Sequence, residues 1–284
     1  MTIDLNAARA FLHANARVLE RRRVAHLLDG ASAEPVLHAL RAHRNDDGGF
    51  GHAIEPDMRA PTSQPVGVHT VMEILHEMGV HDDPMIGPAA DWLASITRAD
   101  GGIPFVLEDA MAHPHAPWWQ YSDASSVTQT AANAAALHSL SLSHPWLDNA
   151  DEFLFARIAE LDASRLGEEV GLAYDLLFSF HFLDAHPDAG RSDAALDAFG
   201  PIPEAEPGSE LPTPLYLSPR PGSRSRRLFD ETVIGRHLDA LERAQQDDGG
   251  WRVAWGDWNA AATVEWRGVA TVNALSLLRD NGRL

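Results

Sequence analysis

The chain has 284 residues, 45 % of them hydrophobic, enough for one large core or two small ones, and it has no cysteine, which excludes disulfides, thiolate metal sites and cysteine nucleophiles. A formal net charge of −19 repels a phosphate backbone, so nucleic acid is not an expected partner. No run approaches the roughly 20 apolar residues of a membrane span, and the acidic, amphipathic first residues are unlike a signal peptide, so the expectation is a cytoplasmic protein without a membrane span.

In chain order, residues 1–20 read as one amphipathic helix. Glu34 to Arg44 is a second, ending in Asn45-Asp46-Asp47-Gly48-Gly49-Phe50-Gly51. Gln64 to Gly79 is apolar nearly all round, the mark of a buried helix. The unit then repeats. A helix runs into Arg98-Ala99-Asp100-Gly101-Gly102-Ile103, and the apolar Ser125 to Leu142 follows. Leu147 to Leu161 and Glu168 to Ala185 continue the alternation without the Gly-Gly signature. Gly200 to Ser225 holds seven prolines and reads as an irregular loop at about 200–226. The repeat resumes with Glu231 to Arg243, Gln245-Gln246-Asp247-Asp248-Gly249-Gly250-Trp251, and the buried Glu265 to Gly282. Asp47 to Asp100 is a step of 53 residues and Asp100 to Asp248 is 148, near three such steps. A period near 50 suits two helices and two loops. Period-two strand patterns are nearly absent. The expectation is one all-α domain over 1–284, with about ten to twelve helices in alternating exposed and buried positions.

Each Asp-Gly-Gly-apolar segment has a structural meaning. Glycine takes positive φ at a helix end, aspartate caps free backbone donors, and the following large side chain plugs the gap between hairpins. The segment Gln245 to Trp251 resembles the QW-type repeat of squalene and oxidosqualene cyclases, and those at Asn45 and Arg98 resemble it more loosely. The resemblance is to the terpene cyclase and prenyltransferase superfamily, and it implies an α/α toroid of about five to six helical hairpins. Only the repeat residues carry over, with a structural role. The Asp-x-Asp-Asp motif of the type II cyclases is missing, and so is the cysteine of the prenyltransferase zinc site. The resemblance therefore implies no catalytic residues, and neither a cofactor nor a metal is expected.

In a toroid the segments between each Gly-Gly and its buried helix share one mouth. Three such loops carry chemistry. The first holds His52, Glu55, Asp57, Arg59 and Gln64, where an arginine and two carboxylates can tune one another for acid or base work. The second, HPHAPWWQYSD, offers Trp118, Trp119 and Tyr121 as the wall of an apolar or sugar pocket, with Asp123 as a helix cap; His113 and His115 alone make a poor metal site. The third supplies Trp255, Asp257, Trp258, Glu265, Trp266 and Arg267. The three loops are expected to converge on one pocket. Arg220, Arg224, Arg226 and Arg227 form a local basic cluster that could clamp an anion.

Three functions fit. One is an enzyme for a hydrophobic, isoprenoid-like small molecule, with cyclisation or isomerisation started by a carboxylic acid in a central cavity, Asp57 or Glu55 first. Another is a saccharide-active hydrolase or lyase using Asp57 with Glu265 or Asp257. The third is a non-catalytic binding or scaffold protein.

Overall fold

The computed structural model describes residues 3–284. The chain is helical almost throughout: α1 Leu5–Asn15, α2 Val18–Asp29, α3 Glu34–Arg41, α4 Pro65–Glu77, α5 Ile86–Ser95, α6 Val127–Ser139, α7 Pro145–Ile158, α8 Val170–Ala185, α9 Ala189–Ala198, α10 Pro214–Leu217, α11 Glu231–Arg243 and α12 Ala260–Asp280. The one sheet among the described residues is a two-residue antiparallel pair, β1 Ile103–Pro104 with β2 Ser125–Ser126.

Local signals set the helix ends. The expected first helix is broken at Ala16 and Arg17, both in extended conformation, and α2 stops where Gly30 turns left-handed. Proline opens α4, α7 and α10, where its missing N–H is no loss. The last helix starts at Ala260, five residues before the sequence pattern suggests, because Asn259 caps the N–H groups of Ala261 and Ala262. The proline-rich stretch is irregular except for α10 and a 3-10 turn at Arg224–Leu228.

The chain divides into two compact units. One is the described part of Met1–Arg41 together with Glu204–Leu284, so it contains α1, α2, α3, α10, α11 and α12. Its core joins Phe11, Leu12, Ile234, Leu238, Trp251 and Leu275. The other, Ala42–Pro203, contains α4 to α9. Here α6 is the axis: every residue from Thr128 to Leu137 is buried, and the helix packs on α4 and on α8. Its run of alanines lets both neighbours approach closely.

Candidate functional site

The Gly-Gly turns share one geometry in both units. The Oδ1 atoms of Asp47, Asp100 and Asp248 accept from the N–H of the second glycine at 3.0, 3.2 and 3.1 Å. The same oxygens accept from Ser63 Oγ, Ser125 Oγ and Arg267 Nη2 at 2.7, 2.6 and 2.8 Å, which ties each turn to the start of its buried helix or the segment before it. The first glycine of each turn has φ of +90° to +94°. A Cβ there would lie 2.2 to 2.7 Å from the backbone oxygen of Pro88, Asn149 or Ala7, on a helix beyond the turn. An aromatic four residues further along that helix (Trp92, Phe153 or Phe11) covers the second glycine. Through Oδ1 these aspartates hold the architecture of the turns.

Within the 42–203 unit, the first two candidate loops meet. Arg59 N–H donates to Pro114 O at 3.0 Å, and Ala116 N–H donates to Asp57 O at 2.9 Å. Asp57 is only 2 % exposed, and Glu55 is half-buried. Arg59 donates to Pro56 O at 3.3 Å. His52 and Ala53 both take positive φ, and His52 Nε2 lies 2.9 Å from Asn45 Oδ1. Gln64 is buried and tied to structure: Oε1 accepts from Leu107 N–H at 2.9 Å and Nε2 donates to Asp109 at 3.0 Å. A recess of about 320 Å³ opens here, lined by Asn45, Asp47, His52, Ser63, Trp92 and Asp109 among others. Trp119 is buried and stacks on Phe105 at 4.8 Å, whereas Trp118 is 43 % exposed. Tyr121 donates to Asp123 at 2.5 Å, and that bond raises the phenol's pKa. His115 Nδ1 pairs with the backbone oxygen of His113.

The third loop belongs to the other unit. Trp255 and Trp266 meet edge to face at 4.9 Å, Trp258 and Glu265 are half-buried, and the exposed Asp257 accepts from Thr263 Oγ1 at 3.0 Å. Arg267 lies 4.5 Å over the Phe11 ring while its Nη2 holds Asp248, whose pKa that hydrogen bond lowers. A recess of about 380 Å³ is lined by Gln245, Gln246, Asp247, Asp248, Arg252 and Arg267. Of the basic cluster, Arg226 is buried and bound to Glu231, Ser218 O and Asn281. It serves the fold of the proline-rich stretch.

Two constellations in the 42–203 unit escape the sequence reading. Asp175 sits in α8 and its Oδ1 accepts two bonds from the first turn of α6, from Thr128 N–H at 2.9 Å and Thr128 Oγ1 at 2.6 Å. Among the described residues nothing bonds its Oδ2. Burial pushes the Asp175 carboxyl pKa up, and the two Thr128 bonds only partly offset it. Leu172, Tyr174, Leu177 and Phe178 lie half-buried along the same helix. A signal for Asp175 was present, since it is the one carboxylate in the apolar run from Val170 to Leu183.

The other constellation joins His138 of α6, Asp151 of α7 and His186 beyond α8. His138 Nε2 lies 2.9 Å from Asp151 Oδ1 and His186 Nε2 lies 3.2 Å from Oδ2, with all three side chains largely out of solvent. The donor set suits a divalent metal, and the ligand atoms fall within 4.8 Å of one another. The geometry argues otherwise. His186 Nδ1 accepts from Asp188 N–H at 3.1 Å, so a neutral ring carries its proton on Nε2 and has no lone pair there for a metal. His144, in the preceding His-Pro turn, repeats the pattern: Nδ1 accepts from Trp146 N–H and Nε2 reaches Asp91. Both are ties between successive hairpins. Burial raises the Asp151 pKa, but the hydrogen bonds and charge of the two imidazoles outweigh it and hold it low.

Comparison with known proteins completes the assignment of the fold. No family model matches the chain. A squalene–hopene cyclase from Bradyrhizobium diazoefficiens is 40 % identical over 93 residues, which is 32 % of this chain and only 14 % of that enzyme's length. Three solved structures superpose over nearly the whole chain. A protein from Actinoplanes gives a TM-score of 0.60 at 17 % identity, covering 98 % of this chain and 99 % of its own. The type II terpene cyclase MstE from Scytonema gives 0.57 at 16 %, covering 98 % and 97 %. A variant of MstE in complex with its substrate, geranylgeranyl dihydroxybenzoate, gives 0.57 at 15 %, covering 98 % and 96 %. The chain shares its mostly helical fold with these terpene cyclase structures. Among the described residues no helix is long and apolar enough to cross a membrane.

Proposed function

We propose that the chain is an enzyme acting on a hydrophobic, prenyl-chain small molecule, and that Asp175 starts the reaction by protonating a carbon–carbon double bond. The observation that carries this reading is the environment of Asp175. One oxygen is held by the first turn of α6, the other is unbonded, and burial favours the neutral acid. The half-buried side chains of Leu172, Tyr174, Leu177 and Phe178 supply an apolar and π-rich surface on the same helix. The fold supports the reading, because a protein of the same architecture holds a geranylgeranyl-bearing substrate.

In the proposed step the Oδ2–H bond breaks and the alkene π pair forms a new C–H bond. The carboxylate stays on Asp175, held by Thr128. The cation closes onto a second double bond or shifts its unsaturation, and final loss of a proton restores the acid. No step needs an oxidant or a metal.

The test is turnover of geranylgeranyl dihydroxybenzoate and squalene, read by mass spectrometry as products isobaric with substrate. Asp175→Asn keeps an acceptor for Thr128 and should lower turnover by about 10²–10⁴-fold, the usual worth of a general acid. Its folding gives an internal control. A raised pKa in the folded state means that Asp175 contributes stability below its unfolded pKa and loses it as pH rises through the folded value. At neutral pH the variant should therefore melt no lower than the parent. Full turnover by a folded Asp175→Asn protein would overturn the assignment.

A further inference from the structure

Gln129 is 3 % exposed, yet among the described residues nothing hydrogen-bonds its side chain, and its Oε1 is fully enclosed. Asn133 lies one turn on, on the same face of α6. It is completely buried, and its Nδ2 donates to Pro65 O at 3.2 Å and to Gln129 O at 2.9 Å, which leaves Oδ1 without a donor. The bond to Pro65 turns this face toward α4. Two enclosed carbonyl oxygens thus stand one helical turn apart in the same seam. Leaving such an acceptor unmatched costs about 1–3 kcal/mol. A native core rarely carries two of them side by side without a partner.

The sign of the partner follows from the charges. The helices α4, α6 and α8 contain no lysine or arginine, while α4 and α8 carry Glu73, Glu77, Asp175 and Asp184. His69, the basic side chain nearest the Pro65 end of α4, lies 3.0 Å from Glu73 and packs its ring on Phe178. On these three helices an anionic head group would meet two acceptor oxygens and no permanent cation. A neutral hydroxyl would donate to either.

We propose that Gln129 and Asn133 bind the hydroxyl of a neutral prenyl alcohol or phenol, and that this seam rejects a prenyl diphosphate. The inference rests on the prenyl-chain reading above and adds the class of head group.

The experiment is calorimetric titration of the full chain with three probes of equal chain length: geranylgeraniol, its methyl ether, and geranylgeranyl diphosphate. The alcohol should bind at least about tenfold more tightly than the ether or the diphosphate, the worth of one good hydrogen bond. Gln129→Met should weaken binding of the alcohol toward that of the ether and leave the ether unchanged. Gln129→Leu serves as a second replacement, and the three-probe ranking of the parent protein stands by itself if neither variant folds. Tighter binding of the diphosphate, or an alcohol affinity that is unchanged in a folded Gln129 variant, overturns the inference. Failure of all three probes to bind overturns it together with the prenyl reading. Asp175→Asn should alter turnover and leave this ranking intact, so failure of the acid and failure of the head-group subsite are seen separately.

Discussion

Trp251 gives the sharpest test of the architecture. Its side chain is 2 % exposed, its Nε1 donates to Leu241 O at 2.8 Å, and its backbone N–H donates to Thr271 Oγ1 at 3.0 Å. Trp251→Ala removes the whole indole and its hydrogen bond to Leu241 O, so the cost should fall in the roughly 3–5 kcal/mol seen for buried aromatics. An unfolding entropy of about 2 cal/mol/K per residue then implies a fall in Tm of roughly 5–8 °C for a chain of this size. Phe50 and Ile103 occupy the same position after their own glycines and are also fully buried. Loss of stability should rank Trp251→Ala, then Phe50→Ala, then Ile103→Ala, in order of the volume removed. Trp255→Ala is the control; Trp255 is half-buried, and its contact with Trp266 is worth about 1 kcal/mol. Thermal and denaturant unfolding followed by circular dichroism would measure all four. An unchanged Tm for Trp251→Ala, accompanied by loss of ligand binding, would refute the structural role of the repeat.

The turn glycines and the buried carboxylate cluster make further predictions. Gly249→Ala should destabilise more than Gly79→Ala, because a Cβ on Gly249 would sit 2.2 Å from Ala7 O while one on Gly79 meets nothing within 4 Å; both start from positive φ, so the melting difference isolates the clash. Asp151 has a depressed pKa, so its stabilisation is present above the unfolded carboxylate pKa and is lost as pH falls through the folded value. Asp151→Asn should therefore lower the Tm at pH 7, with the gap to the parent closing under strong acid; a gap that does not depend on pH would show that the clamp is not ionic. Zinc added to the metal-free protein should show no tight stoichiometric binding by calorimetry, since the His186 tautomer opposes it; a site abolished by His186→Ala would reverse that reasoning.

Local chemistry made part of this legible in the sequence. Gly-Gly after an amphipathic helix, apolar runs without a polar face, and a cluster of prolines are each decided by neighbouring residues. They located α3, α4, α6, α11 and α12. The break between α1 and α2 has no proline or glycine to announce it and depends on what Ala16 packs against, namely Gly268 of α12. The aromatics Trp92, Phe153 and Phe11 look like ordinary core residues until a helix carries them onto a glycine of the turn before it or at the far end of the chain. Asp175 stood out as a lone carboxylate in an apolar helix, but its meaning depends on Thr128, which lies 47 residues earlier. The His-Pro ties at His144 and His186 repeat in sequence, and their aspartate partners could only be found in space. The first two candidate loops meet through Arg59 and Pro114, while the third lies in the other unit.

The measurement closest to the central claim is turnover in deuterium oxide. Geranylgeranyl dihydroxybenzoate and geranylgeraniol would be incubated with the protein in deuterated buffer and the products analysed by mass spectrometry and NMR. Protonation of a double bond by the exchanged Asp175 carboxyl predicts an isomeric product about one mass unit heavier than the substrate, with one non-exchangeable deuterium on carbon, formed by the parent chain and lost in Asp175→Asn. Product without deuterium, or labelled product made equally well by Asp175→Asn, would contradict acid-initiated chemistry at Asp175.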